Sequence, residues 1–349
     1  MASEKNHLVY SRDFQSYCSN AKRLVDSELQ AFLPVIAELK LRKQIEYALQ
    51  TGGKRLRPTL VFLSGESVGG SSERLRKLAL AFELLHLATL VHDDILDEDL
   101  FRRNALSVFA RWNVKDAVLV GDVLASLSLS LCKGYRREIL NVMIDTCMQL
   151  SDGEYGDVEL ARIDLNEENY FGKINKKCAA LFRAACECGA LAAEGPGNLV
   201  GALRLFGENY GVAYQIKDDI LDAQEWGNDL QPDVNKFRAT LPIIRAYQTA
   251  SKEHQVRFKR LLSAKTGENL SVFLKEVQVY FEKGSLEYCA SRVDEYVDRA
   301  VSSLASLKES RLKGYLVEMA ESLRVKGPKV SLQKILPETN PRRTISAGY

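Results

Sequence analysis

The eight prolines of this 349-residue chain are unevenly placed, and their spacing limits the possible folds more than any other feature. No proline lies between Pro58 and Pro196, and none lies between Pro242 and Pro328. Because proline lacks an amide hydrogen and clashes with the preceding helical turn, long stretches without it permit long helices. Both stretches are rich in Leu, Ala, Glu, Lys and Arg and lack the alternating pattern of strands. The sequence therefore predicts an all-α protein.

Composition and charge exclude several classes of protein. The chain is 46% hydrophobic with a net charge of +2, which suits a large buried core and argues against disorder. A nucleic-acid-binding protein would show a strongly basic domain or stripe, so no nucleic-acid partner is expected. The N-terminus lacks the apolar run of a signal peptide, and the most apolar stretch, 78–91, is too short and too polar for a transmembrane segment.

The cysteines and the domain organisation lead to two further expectations. The seven cysteines are scattered, form no CxxC pair and show no zinc spacing. They are predicted to be free thiols packed as small apolar residues, which suits a reducing, cytoplasmic location. No flexible linker divides the chain, so we expect one helical domain over residues 1–327 and an irregular, proline-containing tail over 328–349.

One predicted helix combines burial with charge. Apolar residues cover nearly all of its faces from Leu75 to Val91, which predicts a position in the middle of a helical bundle. The same helix runs directly into residues 92–99, where most side chains are ionisable. Burying so many charges is unfavourable unless cations neutralise them, and this conflict is the first indication of a functional site.

The pentapeptide Asp-Asp-Ile-Leu-Asp occurs twice, at 93–97 and at 218–222, each time after an apolar helical run. Residues four apart share a helix face, so the first and fifth aspartates of each copy point the same way. Paired carboxylates without a His/Cys cluster suit Mg²⁺, which keeps several waters and shares phosphate oxygens. The predicted metal ligands are Asp93, Asp97, Asp218 and Asp222.

Cationic residues accompany both acidic pairs. The segment 52–58, Gly-Gly-Lys-Arg-Leu-Arg-Pro, places three cations in a glycine-started turn ahead of a helix, where anions are favoured. Arg102 and Arg103 add a second basic pair, and the guanidinium fork suits bidentate phosphate contacts. His86 and Gln215 are spaced to face the same cavity as the acidic pairs. Acidic pairs for Mg²⁺ beside cations indicate a diphosphate substrate.

Three segments resemble the trans-polyprenyl diphosphate synthase family: GGKRLRP at 52–58, DDILDEDLFRR at 93–103 and YQIKDDILD at 214–222. Weaker matches are LVGD at 119–122, SDGE at 151–154 and TLP at 240–242. The likeness runs from about residue 45 to residue 244. It implies a single-domain helical bundle of the isoprenoid synthase type around a deep central cavity, a homodimer, and elongation of an allylic diphosphate by isopentenyl diphosphate.

The resemblance also implies a role for individual residues. Asp93 and Asp97 would hold two Mg²⁺ ions, and Asp218, supported by Asp222, would hold a third. Isopentenyl diphosphate would be bound by Lys54, Arg57, His86 and Arg103. The allylic diphosphate would be bound by Arg102, Lys177 and Gln215, and Arg102 and Lys177 would be catalytic together with the aspartates.

The chain departs from the family pattern at several positions. Cys178 replaces a threonine, Asn104 replaces a glycine, and Asn228 replaces a lysine. Phe237 and Arg238 replace a glycine–lysine pair. These departures affect the expected allylic site, so a non-catalytic or weakly active subunit of a heteromeric prenyl synthase is an alternative. A terpene cyclase would not need the second diphosphate site, and a purely structural helical protein would not bind diphosphate.

The residues one turn before the first aspartate motif bear on product length. In the family, bulky aromatic residues four or five positions before the first aspartate stop chain growth early. Here Ala88 and Thr89 occupy those positions and are small, while Phe82 and Leu85 lie deeper and could form a floor. The expected product is a geranylgeranyl or longer all-trans polyprenyl diphosphate.

Overall fold

A computed structural model of the protein describes residues 10–37, 39–50, 52–103, 105–160, 165–225, 239–263 and 267–325. Within these ranges the α-helices are α1 (Arg12–Ala37), α2 (Arg42–Gln50), α3 (Leu56–Ser67), α4 (Ser72–Leu96), α5 (Val108–Arg111), α6 (Val114–Leu131), α7 (Arg137–Leu160), α8 (Glu167–Ile174), α9 (Ala180–Ala192), α10 (Gly197–Glu225), α11 (Leu241–Thr249), α12 (Lys252–Ser263), α13 (Gly267–Tyr280), α14 (Leu286–Ser303) and α15 (Arg311–Glu321). The all-α prediction is confirmed. The predicted tail, 328–349, lies outside the described residues.

The helix that the sequence placed in the middle of the bundle is α4. It begins at Ser72 after the turn at Gly69, whose φ of 97° suits glycine. Leu80 and Phe82, on opposite faces of α4, are both fully buried, because α3 packs on one side of α4 and α6 on another. α10 in turn packs against α9 and α14. Burial on all sides explains why α4 is apolar around its circumference.

Two departures from regular α-helix carry predicted site residues. Residues Phe101–Arg102 (β1) and Ala105–Leu106 (β2) form a short antiparallel hairpin after α4, so the Arg102–Arg103 pair lies on a hairpin rather than on a continued helix. Between α8 and α9, residues Asn175–Ala179 form a π-helical segment that packs against α7 and α10. Such single π turns occur often at functional sites.

One helical stretch, Val114–Gly134, is long and apolar enough to cross a membrane by length and composition. Only a third of its apolar window is buried in the protein. Its buried side packs against α4, and its outer side exposes Val114, Val118 and Leu119. It therefore combines a face that packs in the bundle with an exposed apolar stripe.

Candidate active site

The two acidic turns lie on different helices and at different points along them. α4 ends at Leu96, and the Asp97 amide donates a hydrogen bond to the Asp93 carbonyl oxygen at 2.8 Å, which keeps these residues one turn apart. The second copy lies inside α10, which continues to Glu225. Asp93 and Asp218 are half-buried, whereas Asp222 is exposed.

Asp94, the middle aspartate of the first turn, is buried and paired with Arg102. The Arg102 Nε and Nη2 atoms each lie 2.6 Å from Asp94 Oδ1. Burial raises the pKa of the Asp94 carboxyl, and the Arg102 guanidinium opposes that shift. The hairpin therefore reverses the direction of the chain after α4, and Arg102 lies beside the preceding acidic turn, where it neutralises Asp94. Arg102 also acts on Asp93, where it lowers the pKa.

Asp93 is surrounded by charges from three elements. Burial raises the pKa of Asp93 above its usual value, and the carboxylates of Glu154 and Asp97 raise it further. The Lys177 ammonium and the Arg102 guanidinium lower it. A cation at this position would stabilise the ionised carboxylates. Glu154, which sequence reasoning did not select as a site residue, is thus part of the site.

The SDGE segment on α7 explains how Lys177 reaches the first acidic turn. A Cβ atom on Gly153 would lie 2.6 Å from the Lys177 amide nitrogen, so only glycine allows the π-helical segment to pack this closely. On either side of Gly153, Asp152 pairs with Lys176 at 2.6 Å and Glu154 pairs with Lys177 at 2.9 Å. SDGE is therefore a docking surface for two consecutive lysines.

The LVGD segment on α6 has a comparable role for α4. A Cβ atom on Gly121 would lie 2.1 Å from the His92 Nε2 atom, so the glycine makes room for the imidazole. His92 Nε2 lies 3.1 Å from the Val118 carbonyl oxygen and 3.8 Å from Asp122 Oδ1. His92, directly before Asp93, thus connects the acidic end of α4 to α6.

The second acidic turn has neutral partners at its buried position. Asp219 accepts hydrogen bonds from the Tyr170 hydroxyl at 2.7 Å, the Gln215 amide at 2.9 Å and the Leu241 amide at 3.5 Å. Burial raises the pKa of Asp219 to about 6. Burial also raises the pKa of Asp218, and the nearby Lys54 ammonium opposes the shift. Neither Asp219 nor Tyr170 was selected from sequence.

The cationic residues of the segment 52–58 have different surroundings: one forms ion pairs within the protein, and the others lie at the candidate site. Arg55, at a φ of 52°, forms ion pairs with the carboxylates of Glu83 and Asp26 at the start of α3, so its charge is used within the protein. Lys54 instead acts electrostatically on the second acidic turn, where it lowers the pKa of Asp218. Arg57 lies in the first turn of α3, and its guanidinium carbon is 4.3 Å from the centre of the Phe182 ring.

Arg57 and Arg103 converge on His86. Arg57 Nη1 lies 3.1 Å from His86 Nε2, and the Arg57 Nε atom is buried without a hydrogen-bond partner. Arg103 donates to the Gly52 carbonyl oxygen, which brings it against the same glycine turn. Burial lowers the pKa of His86 well below its usual value, and the surrounding guanidinium groups, Arg57 first, add to that shift. His86 is therefore neutral near pH 7, within a cationic cluster suited to an anion.

Cys178 follows Lys177 in the π-helical segment and packs against α10, the helix that carries the second acidic turn. Its thiol donates to the Gly211 carbonyl oxygen of α10 at 3.7 Å. Burial raises the pKa of Cys178 to about 12; Arg57 lowers it and Asp218 raises it. The π-helical segment therefore carries both Lys177, which acts electrostatically on Asp93, and Cys178, which contacts α10 at Gly211, two turns before Asp218.

The comparisons with known proteins establish the family of the chain. The profile of the family described as Polyprenyl synthetase matches residues 38–278, well over half of the chain. The chain belongs to this family. It is therefore a prenyltransferase of the trans-polyprenyl diphosphate synthase type, as the sequence resemblance predicted.

Individual relatives of this polyprenyl synthetase differ in the products that their names give. The chain is 30% identical to a short chain isoprenyl diphosphate synthase of Methanothermobacter thermautotrophicus over 308 residues, covering 85% of this chain and 94% of that protein. It is 33% identical over 282 residues to an all-trans-nonaprenyl-diphosphate synthase (geranyl-diphosphate specific) of Rhodobacter capsulatus, covering 78% and 85%. A crystal structure of a decaprenyl diphosphate synthase from Rhodobacter capsulatus matches with a TM-score of 0.80 and 27% identity, over 89% of this chain and 97% of that one.

The donor set of this polyprenyl synthetase fits Mg²⁺ bound together with a diphosphate. Among the described residues, no three His, Cys, Asp or Glu side chains are already arranged around one metal position. Mg²⁺ does not require such a cage, since it is usually held by one or two carboxylates, waters and substrate phosphates. The carboxylate oxygens at Asp93 supply hard ligands where negative charge is crowded, and the unpartnered Arg57 Nε supplies a buried donor for an anion.

Some predicted features lie elsewhere or outside the described residues. A separate cavity of about 430 Å³ lies at the start of α8 beside α11 and α12, lined by residues such as Asn166, Glu167, Tyr247 and Lys259, and none of the predicted site residues lines it. The departures at Asn104, Asn228, Phe237 and Arg238 fall outside the described residues. The prediction that all seven cysteines are free thiols is confirmed.

Proposed function

We propose that this prenyltransferase condenses isopentenyl diphosphate with an allylic diphosphate in a Mg²⁺-dependent reaction and forms a geranylgeranyl or longer all-trans polyprenyl diphosphate. The observation that carries the proposal is the cationic cluster at His86, where Arg57 Nη1 lies 3.1 Å from His86 Nε2. It is supported by the π-helical segment, in which Lys177 acts on Asp93 of one acidic turn and Cys178 contacts α10, the helix of the other. Two diphosphates in one site need two sets of cationic groups, and the chain has both.

The acidic turns are proposed to bind the metal ions. Asp93 and Asp97 would hold two Mg²⁺ ions, and Asp218, supported by Asp222, would hold a third. When bound, these ions withdraw electrons from the allylic diphosphate and so stabilise its departure as a leaving group. The raised pKa of the buried aspartates supports this role, because a nearby cation would offset the cost of their ionisation.

The cationic residues are proposed to divide between the two substrates. Isopentenyl diphosphate would be bound by the glycine turn and its surroundings, through Lys54, Arg57, His86 and Arg103. Because His86 is neutral, it can direct a hydrogen bond without adding charge, while the Arg57 Nε atom offers a donor that has no partner within the protein. The allylic diphosphate would be bound by Arg102, Lys177 and Gln215, which are catalytic or orienting residues next to the acidic turns.

Product length is proposed from the residues of α4 below the first acidic turn. Ala88 is buried and small, and the Thr89 hydroxyl is satisfied by the His86 carbonyl oxygen at 2.8 Å within the same helix. Leu85 and Phe82 are buried one and two turns deeper. A chain growing past Ala88 would meet no aromatic side chain on α4 before Phe82, which supports products of geranylgeranyl size or longer.

Assembly as a homodimer is supported by exposed apolar residues. α6 exposes Val114, Val118 and Leu119, and α7 exposes Ile144 and Met148, whereas apolar residues on the inner faces of both helices are buried. Large exposed apolar surfaces commonly mark protein interfaces, and a second copy of the chain is the proposed partner. The free thiols support a reducing, cytoplasmic location.

The deciding experiment incubates the purified protein with Mg²⁺, labelled isopentenyl diphosphate and allylic primers of increasing length. Elongation of farnesyl diphosphate to a product of 20 or more carbons is expected, and Ala88→Phe should shorten it. Farnesyl diphosphate as the main terminal product would contradict the proposed length. If the protein alone is inactive but gains activity with a partner subunit, the heteromeric alternative holds instead.

A further inference from the structure

Two arginines at the start of α3 are held by different kinds of group. Arg55 is paired with the carboxylates of Glu83 and Asp26, which neutralise its charge. Arg57 contacts neutral groups instead: Nη1 lies 3.1 Å from His86 Nε2, and the guanidinium carbon lies 4.3 Å from the centre of the Phe182 ring. Arg57 forms no ion pair with a carboxylate among the described residues, so its charge remains available to an anion.

The Phe182 side chain on α9 is fixed by its surroundings. It is fully buried, and its ring centre lies 5.2 Å from that of Tyr210 in an edge-to-face arrangement and 5.4 Å from that of Tyr214. A Cβ atom on Gly211 would lie 3.1 Å from Phe182 Cδ2, and one on Gly207 would lie 2.5 Å from the Phe182 carbonyl oxygen. The close approach of α10 therefore makes the Phe182 ring a rigid surface.

A ring face holds a guanidinium group in a different way from a carboxylate. The electrons of the aromatic face attract a cation placed over it, but the ring has no net charge and leaves the cation unneutralised. The Arg57 Nε atom is buried without a hydrogen-bond partner, so the group keeps a donor in reserve. A planar guanidinium that is oriented in advance suits bidentate contacts with phosphate oxygens.

We propose that Phe182 is a positioning residue whose ring face holds the Arg57 guanidinium in the orientation that receives the diphosphate of isopentenyl diphosphate. The inference rests on the proposed function and extends it to a residue of α9. Because Phe182 is fully buried, it offers no surface to a substrate and acts only through Arg57. Loss of the ring should therefore weaken the binding of isopentenyl diphosphate and leave the binding of the allylic diphosphate unchanged.

The first test compares Phe182→Leu with Phe206→Leu. Phe206 is also fully buried and its ring lies 6.0 Å from that of Tyr210, but no cation lies over it among the described residues. Isothermal titration calorimetry measures the Kd for isopentenyl diphosphate, which is not consumed when the allylic primer is absent. The Kd of Phe182→Leu should rise about three- to tenfold, because a released guanidinium must be ordered again on binding. Phe206→Leu should change the Kd by less than about twofold.

A double variant tests whether Phe182 acts through Arg57. In the Arg57→Met background no guanidinium remains for the ring to hold, so adding Phe182→Leu should change the Kd by less than about twofold. A full loss of affinity in that background would show that the positioning role is wrong. Steady-state kinetics supplies a second criterion, since Phe182→Leu should raise the KM for isopentenyl diphosphate but not for the allylic primer. A similar rise in both KM values would indicate general distortion of the site and would also refute the role.

A fluorinated ring keeps the test decisive if Phe182→Leu does not fold. Replacement of Phe182 by 3,5-difluorophenylalanine preserves the shape of the ring and withdraws electrons from its face. Thermal unfolding confirms that the protein is folded, and the Kd for isopentenyl diphosphate should then rise about two- to threefold. An unchanged Kd would refute the role of the ring face.

The outcomes distinguish this inference from the proposed function. If the wild type binds isopentenyl diphosphate and elongates an allylic primer, but the Phe182 variants bind it as well as Phe206→Leu does, only the role of Phe182 is refuted. If the wild type neither binds isopentenyl diphosphate nor elongates a primer, the proposed function fails, and the role of Phe182 fails with it.

Discussion

The same five residues form both acidic turns, yet the two turns have different surroundings. In the first turn the buried middle aspartate, Asp94, pairs with the charged guanidinium of Arg102. In the second turn the corresponding Asp219 accepts hydrogen bonds from the neutral groups of Tyr170 and Gln215. The first turn also ends its helix, whereas the second lies within α10.

The difference shows that two segments of identical sequence can have different electrostatic environments. Asp93 is influenced by two more carboxylates and two cations, while Asp218 has Lys54 as its main charged neighbour. The first turn therefore brings together negative charges that a metal ion can stabilise, whereas the second turn is held by a hydrogen-bond network. We expect the two turns to respond differently to matched substitutions.

The largest expected effect is on catalysis. Asp93→Asn and Asp218→Asn should each lower kcat by about 10²- to 10³-fold, because each removes a proposed ligand of the Mg²⁺ ions that would stabilise charge in the transition state. Asp93→Asn should also raise the Mg²⁺ concentration needed for half-maximal activity more than Asp218→Asn does. Steady-state rates across a Mg²⁺ series measure both effects. An equal Mg²⁺ requirement in the two variants would show that the turns are equivalent in metal binding.

The next effect is on stability. Asp94→Asn leaves the Arg102 charge without its buried partner and should lower the free energy of unfolding by about 3–5 kcal/mol. Asp219→Asn keeps an acceptor for Tyr170 and should lower it by about 1–3 kcal/mol. Urea denaturation measures the difference, and adding Arg102→Leu to Asp94→Asn should recover part of the loss. The opposite order would mean that the neutral network, not the ion pair, dominates.

A smaller effect is expected at Tyr170. Tyr170→Phe removes one of the donors to Asp219 and should lower the free energy of unfolding by about 1 kcal/mol. The KM for the allylic diphosphate should rise, because Asp219, the acceptor that holds Gln215, is then less firmly fixed. Tyr288→Phe is the control, since its hydroxyl donates to the carboxylate of Glu167 rather than to an aspartate of either turn. A similar rise in KM in both variants would show that the hydrogen-bond network around Asp219 has no role in binding the substrate.

The smallest effect concerns Cys178, which contacts α10 at Gly211, two turns before the second acidic turn. Cys178→Ser introduces a hydroxyl at the position where the family pattern described above predicts threonine. It should lower the KM for the allylic diphosphate by about two- to fivefold, the value of one neutral hydrogen bond. Cys178→Ala should leave the KM unchanged, and neither variant should alter the Mg²⁺ requirement set by the first turn. Steady-state kinetics with a fixed primer provides the measurement. A lower KM in the alanine variant would indicate that size rather than the hydroxyl matters.

Some of the site followed from spacing alone. Residues four apart on a helix share a face, so each Asp-Asp-Ile-Leu-Asp copy was predicted to point two carboxylates together, and the structure keeps that spacing even where α4 ends at Leu96. Glycine at the start of 52–58 predicted a turn ahead of a helix, and Gly52 has a φ of 69° before α3. Such features depend on local geometry.

Other residues were beyond the reach of sequence reasoning. Glu154 was visible only as part of SDGE, and nothing in its neighbours indicated that a π-helical segment would bring Lys177 to it. Arg55 and Arg57 look alike in sequence, but one neutralises Glu83 and the other points to His86. Tyr170, 49 residues from Asp219 along the chain, has no signal that would pair them.

By itself the amino-acid sequence determined the all-α fold, the family and the two acidic turns, because helix propensity, helix periodicity and short motifs are properties of neighbouring residues. Only the tertiary structure decided which charges meet. Pairings such as Arg102 with Asp94 and Lys177 with Glu154 depend on how a hairpin turns back and how closely a glycine lets two helices approach. Electrostatic energy depends on distance and burial, and both are set by packing rather than by position along the chain.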